Sequence, residues 1–327
     1  MRCLISSTLG VLLACIAASA SAEEIAVGNY GVSANGMPFG VALVKGYFKD
    51  EGLNITGLIS SAGGGTSLRN MLAGGGVPYG EVNPGVVVSA ILAGADLKIV
   101  SDNVLTVAEF VWAVKPESPI KTIKDIKGRK IGYTNPRSTS QALAMMLLQI
   151  AGYKPDDAEL VKTGGFGEGI AALDSGLVDM VPITEPLWSK VKSKYRAVIV
   201  ANDVLPPLDN VVGVTTVEMA EKRGDFIRGV IRARRKAVKF IKEHPDEAAE
   251  IVATQYNIEL EVAKSAVRNL TTSTTKGVPY WGEGEIHLEG LKRMIEAQRS
   301  VGAITGEVDY NKIIDTRFLP DDLKAIK

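Results

Sequence analysis

Two short polar turns hold the residues best suited to gripping an anion. The first is Ala62-Gly63-Gly64-Gly65-Thr66-Ser67 and the second is Asn135-Pro136-Arg137-Ser138-Thr139-Ser140, and each runs into a stretch with helical periodicity. The first N–H groups of a helix have no internal partner and carry the positive end of its dipole. Glycine lets such groups approach a ligand closely, and Ser and Thr hydroxyls add donors, so a carboxylate, sulfonate or phosphate fits the arrangement. Arg137 adds a guanidinium able to hold an oxyanion through two hydrogen bonds. Gly64, Gly65, Thr66, Arg137, Ser138, Thr139 and Ser140 are therefore candidate ligand contacts. A plainer reading stays open beside this one. Thr66 and Ser138–Ser140 are good helix caps, and Arg137 would equally suit a solvated surface. Neither turn is a Walker loop, since no G-K-[ST] follows.

A near-repeat supplies two more candidates. Leu68–Gly85 (LRNMLAGGGVPYGEVNPG) and Ile170–Pro186 (IAALDSGLVDMVPITEP) each read as a short amphipathic helix, a Gly, a short apolar strand, then a polar residue and Pro. Proline suits the first helical turn, where its missing N–H would be unpaired anyway. Ligands lie beyond the C-terminal ends of parallel strands, which points Asn83 and Glu185 toward a cleft. Glu185 would meet a ligand amine, amide or hydroxyl; alternatively it is a carboxylate favoured by a helix start. Glu185 with two anion turns would suit a zwitterion or a polar-headed anion, and Glu81 and Glu109 are further acidic candidates. Tyr30, Met37 and Trp112 are expected near the cleft, Trp112 at a chain crossing. Phe39, Tyr133, Trp188, Tyr280 and Trp281 are further rings near the cleft, although a single aromatic is usually a core residue.

Enzyme chemistry finds little support. A catalyst needs a positioned acid, base or nucleophile. The chain has two histidines, His244 and His287, and two cysteines, Cys3 and Cys15. No Ser-His-Asp spacing, H-E-x-x-H or metal cluster occurs, so no catalytic residue, metal or cofactor is expected. An exported hydrolase is the enzyme alternative.

The elements that position these residues alternate between strand and helix. Ile25–Asn29, Leu53–Ile59, Tyr79–Val82 and Leu97–Ser101 read as strands, separated by helices of about ten residues. That alternation predicts an α/β fold with a parallel sheet. A second run repeats it, with strands at Lys130–Tyr133, Leu160–Lys162, Asp179–Ile183 and Ala197–Ala201. Val211–Thr215 reads as a strand crossing back. Beyond it the chain is almost entirely helical, and those helices must cover something already built. The expected organisation is therefore a first lobe from 23–112 plus 213–327, a second lobe from 113–212, two hinge crossings, and C-terminal helices packed on the first lobe. A cleft between two such lobes is where a small ligand would bind.

Composition narrows the setting. Lys+Arg and Asp+Glu are equal at 37 each, so no basic face for nucleic acid is expected. A hydrophobic content of 46% with only 6% aromatics fits an aliphatic α/β core. Arg2, the apolar run Leu4–Ala18 and Ala20-Ser21-Ala22 read as a secretory signal cleaved after Ala22. Lipidation at Cys15, after Leu12-Leu13-Ala14, is the alternative. Cleavage would remove both cysteines, leaving no disulfide. The remaining chain of about 305 residues is long enough to be held by its core alone.

Thr122–Gly132 (TIKDIKGRKIG), Leu147–Pro155 (LLQIAGYKP), Ala171–Asp179 (AALDSGLVD) and Glu185-Pro186 together resemble the substrate-binding proteins of bacterial ABC transporters, of the nitrate/sulfonate/taurine and thiamine-precursor type. It is the ordered set, over roughly residues 25–315 and behind a signal peptide, that carries the resemblance. Val77-Pro78-Tyr79 departs from the pattern, in which an Asp often follows the Gly. The resemblance implies a type 2 periplasmic-binding-protein fold and a periplasmic, monomeric protein. It would capture a small anionic or zwitterionic organic solute and deliver it to an inner-membrane ABC permease and its ATPase. It also implies that the acidic residue of the Glu-Pro pair, Glu185, can face ligand. A sensor presenting its closed form to a membrane receptor is the alternative.

Overall fold

The computed structural model describes residues 22–61, 64–73 and 77–326. The expected signal peptide, apart from Ala22, lies outside the described residues, as do the Cys15 alternative and Ala62-Gly63 of the first turn. The chain begins with β1 (Glu23–Gly28), α1 (Met37–Val44), α2 (Tyr47–Asp50), β2 (Ile55–Ser61), α3 (Gly64–Leu72), β3 (Gly80–Val82), α4 (Pro84–Leu92) and β4 (Leu97–Val104). Residues 105–109 cross to β5 (Phe110–Val114), β6 (Lys130–Tyr133), α5 (Thr139–Ile150), β7 (Glu159–Lys162), α6 (Phe166–Asp174), β8 (Val181–Thr184), α7 (Leu187–Val191), β9 (Arg196–Val200) and α8 (Ala201–Val204). The chain returns to β10 (Val211–Thr216), α9 (Val217–Lys222), α10 (Gly224–Glu243), α11 (Pro245–Tyr256) and α12 (Leu260–Thr272). A small hairpin of β11 (Thr274–Thr275) and β12 (Val278–Pro279) leads to β13 (Trp281–Gly284) and α13 (Leu288–Ser300).

The near-repeat in the sequence is a repeat in space. The first sheet has the order β13-β4-β10-β3-β1-β2. In the second lobe β8-β5-β9 and β6-β7 are joined by a bridge between Ile131 and Met180, which gives the run β7-β6-β8-β5-β9. Read from β2, the first five strands, β2-β1-β3-β10-β4, match the second run one for one, with β13 added at the far edge, and the fourth strand of each, β10 or β5, is the one that has just crossed from the other lobe. It lies antiparallel to both neighbours. The wholly parallel sheet expected from the alternation is corrected here: a strand arriving from the other lobe enters at the cleft side and must run opposite to strands that end there.

Central strands are buried on both faces and so read as continuous apolar runs; Ile25, Ala26 and Val27 of β1 have no exposed surface. Gly213 in β10 is there for space, because a Cβ would lie 2.3 Å from the Tyr79 hydroxyl oxygen. Three buried clusters result. One gathers side chains from 25–104 and 211–323, a second core is drawn mainly from 107–208, and a smaller third in the second lobe holds Ala113, Ala172, Leu173, Val178, Val181 and Ile183. Helix α10 buries Phe226, Ile227, Val230, Ala233, Ala237, Val238 and Ile241, the i, i+3/i+4 stripe of an amphipathic helix, onto the first. The C-terminal helices thus pack on the first lobe, and two of them also reach the second. Met294 and Ala297 of α13 enter the second core. Ser265 of α12 sits 2.9 Å from the Ser189 hydroxyl of α7. No helix among the described residues is long and apolar enough to cross a membrane.

Candidate functional site

Between the lobes lies a cavity of about 960 Å³. Gly65, Thr66, Asn83, Arg137, Ser138, Thr139 and Ser140 all line it, so the structure brings both polar turns to one space. Gly64 opens helix α3, one residue before Gly65, and is not among the lining residues. A second depression, of about 840 Å³, lies on the outer face of the first lobe, where Arg223 pairs with Glu23, Arg317 with Glu221 and Arg228 with Asp225. Its charges are already matched to one another.

The local causes of the wall are capping and close approach. Ser138 is the N-cap of α5 and accepts from Gln141 N at 3.2 Å, while Ser140 is buried and its hydroxyl lies 2.9 Å from those of Thr134 and Ser138. Both serines therefore hold the turn, the role the capping reading gave them. Arg137 stands at φ +63°, and its N–H donates to the Gln141 side chain at 2.7 Å, which leaves the guanidinium exposed. Gly28 is required opposite, since a Cβ there would lie 2.8 Å from the Ser67 hydroxyl oxygen.

Asn83 caps α4 by accepting from Gly85 N at 2.8 Å, and its amide reaches across the cleft to donate to Thr139 Oγ1 at 2.7 Å. Thr139 Oγ1 donates to Asn210 Oδ1 at 3.2 Å, and Asn210 Nδ2 donates to Glu109 Oε1 at 2.5 Å. One chain of hydrogen bonds thus links the first lobe, the second lobe and both crossings.

Four expected contacts lie elsewhere. Met37 and Trp112 have no exposed surface and belong to the first and second cores, where an apolar side chain gains most from burial. Tyr30 packs edge-on against Tyr256 and donates to Gln255 Oε1 at 2.9 Å, outside the cavity lining. The Glu185 carboxylate accepts from Ser189 N at 3.1 Å and from Asn269 Nδ2 at 2.7 Å. It holds the start of α7 and fastens it to α12, and it does not line the cavity. Tyr280 and Trp281 are likewise buried, the latter in β13.

The cavity also contains groups that sequence reasoning passed over or left in second place. Arg69, one turn into α3, lines the wall and donates to Thr66 Oγ1 at 2.8 Å. It is the cation nearest the glycine-rich turn in sequence, the signal that could have found it. Neither Arg69 nor Arg137 makes an ion pair among the described residues. Glu81 of β3 and Glu109 of the outward crossing also line the cavity, and burial pushes each carboxyl up to about 8. For Glu81 the Arg234 guanidinium and the Asn35 side chain pull the other way, and for Glu109 its own backbone N–H, the Asn210 amide and the Tyr280 hydroxyl do so, without overcoming burial. Val82, Val86, Phe110, Phe166 and Leu187 supply an apolar middle.

Two α/β lobes joined by paired crossings, with a polar cavity between them, define the class of two-lobed solute-binding folds. The chain belongs to the NMT1/THI5-like family, whose pattern it matches over residues 33–248. A Bacillus subtilis protein that carries the name of an aliphatic sulfonates-binding protein is 23% identical over 317 residues, covering 94% of this chain and 91% of the relative. The fold is that of the crystallised periplasmic aliphatic sulphonate binding protein SsuA from Escherichia coli, with a TM-score of 0.73 at 21% identity over 90% of this chain and 92% of that one. The desulfurization enzyme DszB shares the fold too, with a TM-score of 0.65 at 14% identity, 91% of this chain and 97% of that chain being covered.

Proposed function

We propose that this protein is the solute-binding component of an ABC importer and that it captures a small organic anion, of the aliphatic sulfonate kind, between its lobes. The observation that carries the reading is the pair Arg69 and Arg137, one from each lobe, both lining the cavity and neither in an ion pair among the described residues. They stand beside the starts of α3 and α5, where first-turn N–H groups have no helical partner. The apolar middle suits a short alkyl chain. The lobes divide at the two crossings, near 105–109 and 205–210, so the bounds expected from the sequence, 23–112 plus 213–327 and 113–212, each move by a few residues and leave β5 and β10 whole. Ligand touching both walls favours the closed arrangement only by its differential affinity for closed over open. The closed shape is what a permease reads, and the protein works as a periplasmic monomer released from its signal peptide. We read it as a binder and not an enzyme, although an enzyme shares the fold. Calorimetric titration with alkanesulfonates of two to six carbons tests this. Binding should be seen, Arg69→Ala and Arg137→Ala should each weaken it about tenfold or more, the scale of one charged hydrogen bond, and the recovered sulfonate should be unchanged. Full affinity in the double variant would remove the arginines from the site.

A further inference from the structure

Two further buried acids stand at the hinge, away from the cavity. Asp102 lies near the end of β4, just before the outward crossing, and Asp209 lies in the return crossing, just ahead of β10. Neither has exposed surface. Among the described residues Asp102 Oδ2 accepts from His287 N at 2.7 Å, whereas Asp102 Oδ1 and both oxygens of Asp209 meet no donor. The two carboxyls are within hydrogen-bond reach of each other. Ionised carboxylates only accept, so a bond between them exists only while one carries a proton. The surroundings offer little else. His287 Nδ1 lies 3.5 Å from Asp209 Oδ1 without a hydrogen bond. Arg293 of α13 favours charge on Asp209 but donates instead to Pro207 O at 3.4 Å. Glu285 adds negative charge beside Asp209, and Glu289, near His287, is paired with Lys292. The α13 backbone presses on the cluster, since a Cβ on Gly290 would collide with Asp209 Oδ1 and His287 Nδ1.

The cluster joins the parts that must shift if the lobes are to separate. Asn210 N donates to Val104 O at 2.8 Å and Asp209 N to Gly290 O at 3.2 Å, which ties the return crossing to the end of β4 and to α13. Helix α13 in turn sends Leu291 and Ile295 into the first core and Met294 and Ala297 into the second. We propose that Asp102 and Asp209 form a one-proton clasp across the hinge, and that loss of that proton at alkaline pH frees the return crossing and lets the lobes open. With the proton in place, one acid donates to the other and holds the crossing against β4. Without it, two like charges face each other in a buried site, where repulsion is weakly screened, and the crossing moves away to hydrate them. Burial pushes both carboxyls well up from the ordinary range, with Asp209 adding to the effect on Asp102, so the proton is lost on the alkaline side of that range. The inference rests on the two crossings acting as a hinge and is independent of which solute the cleft takes.

The test is small-angle scattering of the protein without ligand at pH 6 and pH 9.5, with circular dichroism alongside to register unfolding. Linkage to one proton changes the open-to-closed ratio by up to about tenfold per pH unit. The wild type should therefore expand at pH 9.5 with its helix signal intact, and contract again on return to pH 6. Asp209→Asn keeps the size and supplies a permanent donor, so it should hold its pH 6 dimensions at both values. Asp102→Asn should do the same and replaces it if the first variant fails to fold. Carbon-13 spectra of the aspartate-labelled wild type need no variant: two carboxyls should titrate together over the pH range in which the molecule expands. A wild type of constant size, an expansion shared equally by the Asn variants, or the absence of any aspartate titrating with the expansion overturns the proposal. So does loss of the helix signal along with the expansion, which would make the pair a determinant of folding and not of opening.

Discussion

The buried carboxyl of Glu81 makes the stability of the unliganded protein fall as pH rises. In the unfolded chain this glutamate ionises near its ordinary value of 4.5, whereas in the folded protein burial pushes it up to about 8. Between those values the native state holds a proton that the unfolded state has lost. The stability is therefore complete below about 4.5 and drains away as pH climbs through about 8. Each pH unit in that window removes about 1.4 kcal/mol, so roughly 3 kcal/mol is gone at pH 7 and about 4–5 kcal/mol above pH 8. Glu109, Asp102 and Asp209 are pushed in the same direction by burial, and the wild-type slope is the sum of several groups. Glu81→Gln isolates one. It keeps the size and removes the titration, so the variant should match the wild type near pH 4.5 and exceed it by about 3–5 kcal/mol at pH 8.5. Urea unfolding followed by tryptophan fluorescence at pH 4.5, 6, 7 and 8.5 reads the gap directly. Parallel curves for the two proteins, or a variant less stable at high pH, would refute the claim that burial dominates the titration of this side chain.

Other outcomes follow from the same geometry. Asn83→Ala removes the α4 cap and the bond to Thr139, and should cost about 1–2 kcal/mol of stability while raising the population of open molecules seen by small-angle scattering. Thr139→Ala should weaken ligand binding by up to about tenfold through loss of the same cross-cleft link, measured by calorimetry. Glu185→Gln should lower the melting temperature by a few degrees and leave ligand preference unchanged, because its carboxylate fastens α7 to α12. Gly213→Ala should be among the most damaging single methyl additions, with loss of soluble protein as the readout, since the Ser101 hydroxyl oxygen lies 2.2 Å from the new carbon.

Local physics was legible in the chain before any coordinates. The two polar turns, the Pro after Asn83, the apolar strands and the α10 stripe each depend on residues within a few positions of one another, and the repeated unit made the two-lobed plan visible. The tertiary structure alone decided the rest. Strand direction in β5 and β10 depends on which lobe the chain has just left. Met37 and Trp112 are core because neighbours far along the chain close over them. Glu185 is spent on Asn269, 84 residues away, a partner that no local spacing announces. Arg69 looked like an ordinary member of a helix and Glu81 stood second to Glu185 among the acidic candidates, and only the folding of one lobe against the other sets them on the wall of a common cavity. Burial and charge pairing are sums over the whole surroundings, whereas capping and periodicity are written within a turn or two of chain.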